Sequence, residues 1–415
     1  MKLFNFVVAF LLIAGVGHAA SLADLQQQAV ENRKIIKKYE ANLESNKDDL
    51  GLAWSKVYPS LDLSYNVNAL DESSVTENRA NSVAVGAISW NLFAGLQDRY
   101  KIKSSQLIKK AGEFKLQGIR QDIRLNVSLR YLNIYIQKAS LQVAEDSHAT
   151  LQKVYKDAEN RFHVGLIKKN ELLRFKVDLD NAEITRKKAH AGMDKSVRLL
   201  QREIDAAVHP EQLLFSEFEK MPTLRESGSY EEEMLRNRSE ILALQEMERA
   251  AEADVKAAYG SISPRVDIVG SYRKYNDEFG TSGDITDEEL RTQLTLSMNI
   301  FDGFGKYRKV GKAKRAHDAL RYDLAEMKCD LKAQLANLIL DYTVSSENVT
   351  VAQSSIEQAK ENLRITRMSY KEGLEKESDL LDAITNLSRA KYNYVAAKGE
   401  VFANYFKITR AVEGF

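Results

Sequence analysis

One series of residues occurs twice in this 415-residue chain, and that duplication limits the fold more than any motif does. Asn91-Leu92-Phe93-Ala94-Gly95 returns 208 positions on as Asn299-Ile300-Phe301-Asp302-Gly303. Phe162-His163-Val164-Gly165-Leu166, followed by Glu171-Leu172-Leu173, returns at the same offset as Tyr370-Lys371-Glu372-Gly373-Leu374, followed by Asp379-Leu380-Leu381. Upstream, Pro59-Ser60-Leu61-Asp62-Leu63 matches Pro264-Arg265-Val266-Asp267-Ile268 at an offset of 205, so the loops between absorb the difference. Self-similarity at a fixed period means the same run of elements built twice. The expected division is a first repeat over 20–205, a connector over 206–228 carrying Pro210, Pro222 and Gly228, and a second repeat over 229–415.

Each repeat opens with a polar-rich helical segment, Leu22 to Lys56 and Ser229 to Tyr259, closed off by a proline soon afterwards. The hydrophobic period then falls to 2: Leu61, Leu63, Tyr65, Val67 and Ala69 alternate with Asp62, Ser64, Asn66 and Asn68. Residues Ser82 to Leu92 read as a second strand, and in the later repeat Leu294, Leu296, Met298 and Ile300 alternate with Gln293, Thr295, Ser297 and Asn299. Arg265 to Arg273 is a less regular third strand. The β-hairpins are thus expected over 60–92 and 265–300, with polar tips at 71–80 and 276–289. Strands of about 10 residues are long enough to cross a bilayer when tilted, but four cannot close a barrel, so several chains must pool them or the hairpins must pack on something apolar.

Long helices follow each hairpin. Leu331, Leu335, Leu338, Tyr342, Ser345, Val349, Ala352, Ile356, Ala359 and Leu363 keep the 4-3 spacing of a coiled-coil seam. The first repeat carries Ile123, Val127, Ile134, Leu141, Ala144, Leu151 and Tyr155 at equivalent places, interrupted by Arg130, Gln137 and His148. The stretch from Gln97 to His163 spans on the order of 100 Å as a helix. Gly165 and Gly373 stop these helices in tight turns, and returning helices run to about Asp205 and Ala411. Each repeat therefore holds a helical hairpin, with its tip near 165 or near 373.

Composition narrows the function. Only four prolines interrupt the chain, and Lys+Arg 60 against Asp+Glu 59 leaves no basic block to bind nucleic acid. Lys2, the apolar run Leu3 to Val16 and Gly17-His18-Ala19-Ala20 read as a secretory signal over 1–19, cleaved after Ala19 or Ala20. The single cysteine, Cys329, lies within a helical pattern and has no internal partner. No later stretch reaches 18 apolar residues, which leaves a β-barrel as the route across a membrane. The six histidines show no metal-ligand spacing. Gly303-Phe304-Gly305-Lys306 and Gly311-Lys312-Ala313 lack both the phosphate-loop spacing and its hydroxyl, and no serine sits in a nucleophile elbow. No cofactor, metal or catalytic residue is expected, and the chain does not read as an enzyme.

Tyr58-Pro59-Ser60-Leu61, Trp90-Asn91-Leu92-Phe93-Ala94-Gly95, Arg161-Phe162-His163-Val164-Gly165-Leu166 and Tyr370-Lys371-Glu372-Gly373-Leu374 with Asp379-Leu380-Leu381-Asp382-Ala383 together resemble the outer-membrane efflux protein family, the TolC-like channels. The resemblance covers essentially the whole chain after the signal. It implies an α + β membrane protein: a homotrimer giving four strands per chain to a 12-stranded barrel in outer-membrane lipid, continuing into a periplasmic α-helical barrel. It also implies an exit duct for a tripartite efflux pump or type I secretion system, gated at the helical tips. There a periplasmic adaptor would link it to an inner-membrane pump or ABC exporter. The docking candidates are Val164, Gly165, Leu166, Gly373 and Leu374, and the acidic constriction matches Asp379 and Asp382, whose i, i+3 spacing puts both carboxylates on one helix face. Where some members carry an arginine after the second glycine this chain has Glu375, facing a first-repeat tip with Lys168, Lys169 and Glu171, so a closed state is expected to pair Lys168 or Lys169 with Glu375. The competing class is a periplasmic coiled-coil scaffold without channel activity.

Overall fold

The computed structural model describes residues 20–72, 79–275 and 288–415; the expected signal sequence and most of both β-hairpin tips lie outside them. The first run of elements is α1 (Leu22–Asn32), α2 (Lys34–Ser55), β1 (Ser60–Ala69), β2 (Ala80–Ala94), α3 (Gln97–His163) and α4 (Lys169–Ile204). The second is α5 (Ser227–Asn237), α6 (Ser239–Gly260), β3 (Arg265–Tyr275), β4 (Glu288–Ser297), α7 (Gly305–Lys371) and α8 (Glu377–Ala411). Both ends of α1 and α2 and the start of β1 recur 205 positions later in α5, α6 and β3. The start of β2, both ends of α3 and the start of α4 recur 208 positions later in β4, α7 and α8. Left-handed backbone recurs too: Gly95, Leu96, Gly165 and Asp205 have φ of 63°, 65°, 78° and 50°, and Gly303, Phe304, Gly373 and Glu413 have 68°, 66°, 75° and 62°.

The opening segments differ from the expectation of one unbroken helix each. Both are interrupted at an arginine with extended ψ: Arg33 (ψ 123°) separates α1 from α2, and Arg238 (ψ 117°) separates α5 from α6. At the first break the cause is visible. Asn32 Nδ2 donates to the Ile204 carbonyl at 3.2 Å and Arg33 Nη1 to the Arg202 carbonyl at 3.0 Å, so the break lets α1 cap carbonyls that the end of α4 leaves without intrahelical partners.

The chain divides into two compact units. One comprises the described chain up to Ile36 with Ile119–Met234 and Lys332–Phe415. Its helices bury the expected seams: Ile123, Val127, Ile134 and Leu151 of α3 and Leu335, Ser345 and Ala352 of α7 are buried, and the other α7 seam positions are partly buried. The connector is anchored rather than loose. Phe218, fully buried, sits edge-on to Phe402 with ring centroids 4.9 Å apart and lies 5.6 Å from the buried Tyr131. Nearby, the buried Arg410 bonds Asp122 and Glu413, each at 2.7 Å.

The other unit comprises Lys37–Gly118 and Leu235–Leu331. Its sheet has the order β1-β2-β3-β4 with every neighbouring pair antiparallel, so a strand of each repeat pairs at the centre and β1 and β4 are edges. A bulge between Asn91 and Phe93 interrupts the central β2·β3 ladder. The apolar residues that alternate along the edges are exposed: Leu61, Leu63, Tyr65 and Val67 on β1, and Leu290, Leu294 and Leu296 on β4. Below the sheet α3 meets α6 through Lys101–Asp254 at 2.9 Å and Lys110–Glu246 at 2.7 Å. Gly95 and Gly260 let the backbones approach there, for a Cβ on Gly95 would lie 2.3 Å from the Gly260 carbonyl oxygen.

Candidate functional site: the two helical turns

Both long helices end in the same way. The Gly165 amide bonds the Phe162 carbonyl at 2.9 Å and the Leu166 amide the Arg161 carbonyl at 2.9 Å; Gly373 and Leu374 repeat this with Tyr370 at 3.2 Å and Ser369 at 2.9 Å. These are the paired bonds of a Schellman turn, whose left-handed residue glycine fills without a Cβ penalty. The turns carry apolar side chains into solvent: Val164, Leu166 and Leu374 are 70%, 72% and 80% exposed.

Behind the turns α3, α4, α7 and α8 share a core of Leu151, Val154, Phe175, Leu380, Leu381 and Ile384, with Phe175 only 1% exposed. Four contacts tie the two hairpins together near the turns. Arg161 Nη2 donates to the Lys371 carbonyl at 3.1 Å, and its guanidinium lies 5.2 Å from the Tyr370 ring centre. Tyr370 meets Phe175 edge-on at 6.0 Å, and Arg174 pairs with the largely buried carboxylate of Glu377 at 2.7 Å.

The acidic residues lie on the first turns of α8. Asp379 and Asp382 are both exposed, while Leu380, Leu381, Ala383 and Ile384 turn into the core, so the two carboxylates share the outward face. Asp379 accepts the Lys376 amide at 3.2 Å; this bond, reinforced by Glu375, holds its carboxyl below the usual range and keeps it ionised at neutral pH. Glu375 is raised in turn, first by its hydrogen bond with Asp379. Between α4 and α8 a groove of about 450 Å³ is lined by Leu173, Arg174, Val177, Asp178, Leu381 and Asp382. Burial, with the Asp382 charge opposite, pushes the Asp178 carboxyl up.

Lys168 and Lys169 are exposed at the start of α4 and Glu171 is partly buried beside them. Among the described residues no ion pair joins either lysine to Glu375 within the chain; the neighbouring carboxylate of Glu375 is Asp379. The sequence reading missed Arg161, Arg174, Asp178 and Glu377 as parts of this site. Asp178 was accessible to it, since it stands seven residues, two helical turns, after Glu171. The Arg174–Glu377 pair spans 203 positions and leaves no local trace.

The outer membrane efflux protein family model matches residues 25–203 and again 232–412, and so takes in both runs of elements. The chain belongs to that family. Relatives at low identity agree: outer membrane protein TolC of Escherichia coli K12 is 21% identical over 428 residues, covering 96% of this chain and 83% of TolC. The alkaline protease secretion protein AprF of Pseudomonas aeruginosa is 20% identical over 317 residues, covering 72% of this chain and 64% of AprF. A membrane protein of Pseudomonas aeruginosa solved by crystallography has the same fold, with a TM-score of 0.84 at 15% identity, covering 96% of this chain and 93% of its own. As an outer membrane efflux protein the chain is an efflux or secretion channel of the bacterial outer membrane, with its helical part in the periplasm. The family is one of transport channels rather than enzymes. No helix among the described residues is long and apolar enough to cross a membrane.

Proposed function

We propose that three copies of the chain pool their sheets into a 12-stranded barrel and form the exit duct of a tripartite efflux pump or type I secretion system. The observation that carries this reading is the four-stranded sheet: its edge strands β1 and β4 expose Leu61, Leu63, Tyr65, Val67, Leu290, Leu294 and Leu296, a surface suited to lipid and to closure with further copies. Conduction is passive, and energy comes from the inner-membrane pump or ABC exporter. The periplasmic adaptor docks on the apolar turns, at Val164, Gly165 and Leu166 and at Gly373 and Leu374.

Asp379 and Asp382 form the gate. Threefold symmetry makes two rings of carboxylates, six charges in all, which prefer cations and bind divalent ions across the bore. No ion pair joins Glu375 to Lys168 or Lys169 among the described residues of one chain, so the closed-state link between them is a contact between copies. Single-channel conductance in planar bilayers tests the reading. Wild type should pass small, cation-preferring currents that divalent cations block, and the Asp379→Ala/Asp382→Ala variant should conduct more and lose the block. A folded trimer that never inserts would refute the duct in favour of a periplasmic scaffold; insertion with an unchanged double variant would refute the gate alone.

A further inference from the structure

We propose that the junction of β2 with α3 is a phospholipid site: a pocket between the end of α2, the end of β2 and the start of α3 takes an acyl chain, and Arg99 and Lys103 take the anionic headgroup. The proposal needs only a chain placed in the outer membrane with its helices in the periplasm; it needs neither the trimer nor the duct. The pocket measures about 660 Å³, within the range of about 300–1,000 Å³ usual for ligand sites. Its walls are mainly apolar, with Trp54 and Val57 on one side, Leu92 and Phe93 from β2, and Leu96 at the turn into α3.

The sheet sets the level of this pocket in the membrane. Trp90 stands opposite Ile268 and Phe93 opposite Val266, and across β3 these face Leu294 and Leu296 of β4. On the other side Ile88, two residues before Trp90, stands opposite Leu61 of β1. Residues directly opposite in an antiparallel pair share a face, so Trp90 and Phe93 lie on the face that carries the exposed Leu61, Leu294 and Leu296. Trp90 Nε1 donates to the Val57 carbonyl at 2.8 Å, which ties the segment after α2 to that face. The pocket therefore lies where the apolar surface of the sheet ends and the periplasmic helices begin, the level at which phospholipid headgroups meet water.

Apolar side chains without cover and cations without partners say what fills it. Trp54, Leu92, Phe93 and Leu96 are 41%, 46%, 40% and 48% exposed. Leu96 also has φ 65°, left-handed backbone that a bulky residue enters only with strain, and Phe304 at the equivalent place repeats this with φ 66°. Strained backbone at both places thus holds a large apolar side chain that the chain itself leaves uncovered. Arg99 and Lys103 stand one helical turn apart on the α3 wall, both exposed, and among the described residues neither has a hydrogen-bond or ion-pair partner. The carboxylate in the lining, Asp98, accepts from Asn91 Nδ2 at 2.7 Å. Apolar walls beside two free cations fit an amphiphile with an anionic head; a free anion would leave the walls in water, and an uncharged chain would leave the cations unused. The cation pair is particular to the first repeat. Its equivalents are Tyr307 and Gly311, while Lys314 lies 5.4 Å from the ring centre of Tyr259, the equivalent of Trp54.

Trp54 lines the pocket and can signal its occupant. In a Trp90→Phe variant held in detergent, phosphatidylglycerol with brominated acyl chains should quench Trp54 saturably, at a concentration roughly tenfold below that needed with brominated phosphatidylcholine. Adding Arg99→Gln and Lys103→Gln should abolish the preference and raise the half-saturating phosphatidylglycerol concentration roughly tenfold. Lys309→Gln with Lys312→Gln removes the same charge from exposed residues of a different groove and should change that concentration by less than about twofold. Quenching that never saturates, or that is equal for both lipids and indifferent to Arg99 and Lys103, would mean a lipid annulus without a site and overturns the proposal. Displacement of the brominated lipid by glycerol 3-phosphate overturns it in favour of a soluble phosphate ligand. Because these readouts need no conduction, the lipid site and the duct fail independently.

Discussion

Adding one methyl group at Gly95 should cost the protein far more than adding the same group at Gly303. The two glycines are equivalents, both begin the turn from strand into long helix, and both are left-handed, with φ of 63° and 68°. Alanine in that conformation costs about 1–2 kcal/mol at either position. Only at Gly95 is there a steric charge as well. Its Cβ would lie 2.3 Å from the Gly260 carbonyl oxygen and 2.5 Å from Ser263 Cβ, whereas nothing lies within 4 Å at Gly303. A main-chain carbonyl cannot rotate away as a side chain would, so the end of α6 must move, at about 1–3 kcal/mol. Gly95→Ala should therefore lose about 2–5 kcal/mol and Gly303→Ala about 1–2. Urea unfolding in detergent, followed through Trp54 and Trp90, the chain's two tryptophans, reads both variants. Equal midpoints would refute the close approach of α3 and α6.

Three other perturbations test the helical unit. Phe175→Ala removes a ring from the core behind the turns and should cost about 3–5 kcal/mol in thermal unfolding. The raised Asp178 carboxyl favours protonation in the folded state, so its penalty is absent below the unfolded value of about 3.9 and grows as pH rises from there through the folded value. Protection factors for amide exchange in α4 and α8, taken against the intrinsic rate at each pH, should consequently be higher at pH 4 than at pH 7 in wild type, and Asp178→Asn should reduce that difference. Arg410→Met leaves the buried Glu413 carboxylate without its guanidinium and should cost about 3–5 kcal/mol by denaturant midpoint, with part of the loss recovered by adding Glu413→Gln.

Much of this architecture was legible because its signals are local. Alternation marked the strands, the 4-3 spacing marked the face of α7 that is buried, and Gly165 and Gly373 marked the turns, since glycine is the residue that enters left-handed backbone without strain. The breaks at Arg33 and Arg238 were not legible, because neither residue is a helix breaker. At Arg33 the interruption answers to the carbonyls at the end of α4, some 170 residues away in sequence. The burial of Phe218 was hidden for the same reason: a connector bracketed by prolines gives no sign that one ring docks against Phe402. At the turns the charges were legible, but partners far apart in sequence were not: Arg174 reaches Glu377, 203 positions on.

The duplication also shows where this chain has put its chemistry. The backbone at the two turns is the same, down to the glycine φ and the pair of closing bonds. The side chains are not. After Gly165 the turn leads into Ile167, Lys168, Lys169, Glu171 and Arg174, whereas after Gly373 the same places hold Glu375, Lys376, Glu377, Asp379 and Asp382, so the charge differs at the first, third and last of them. Because a duplicated scaffold holds both sets at equivalent places, the contrast in charge cannot be ascribed to a difference in backbone. If the acidic rings gate the duct, the gate belongs to the second repeat alone, and moving charge rather than structure should transfer it. A variant carrying Glu171→Asp and Arg174→Asp, the equivalents of Asp379 and Asp382, together with Asp379→Ala and Asp382→Ala, should regain the divalent block that the double alanine variant loses. Absence of any block in a folded, conducting channel would mean that the bore is lined by the second repeat only.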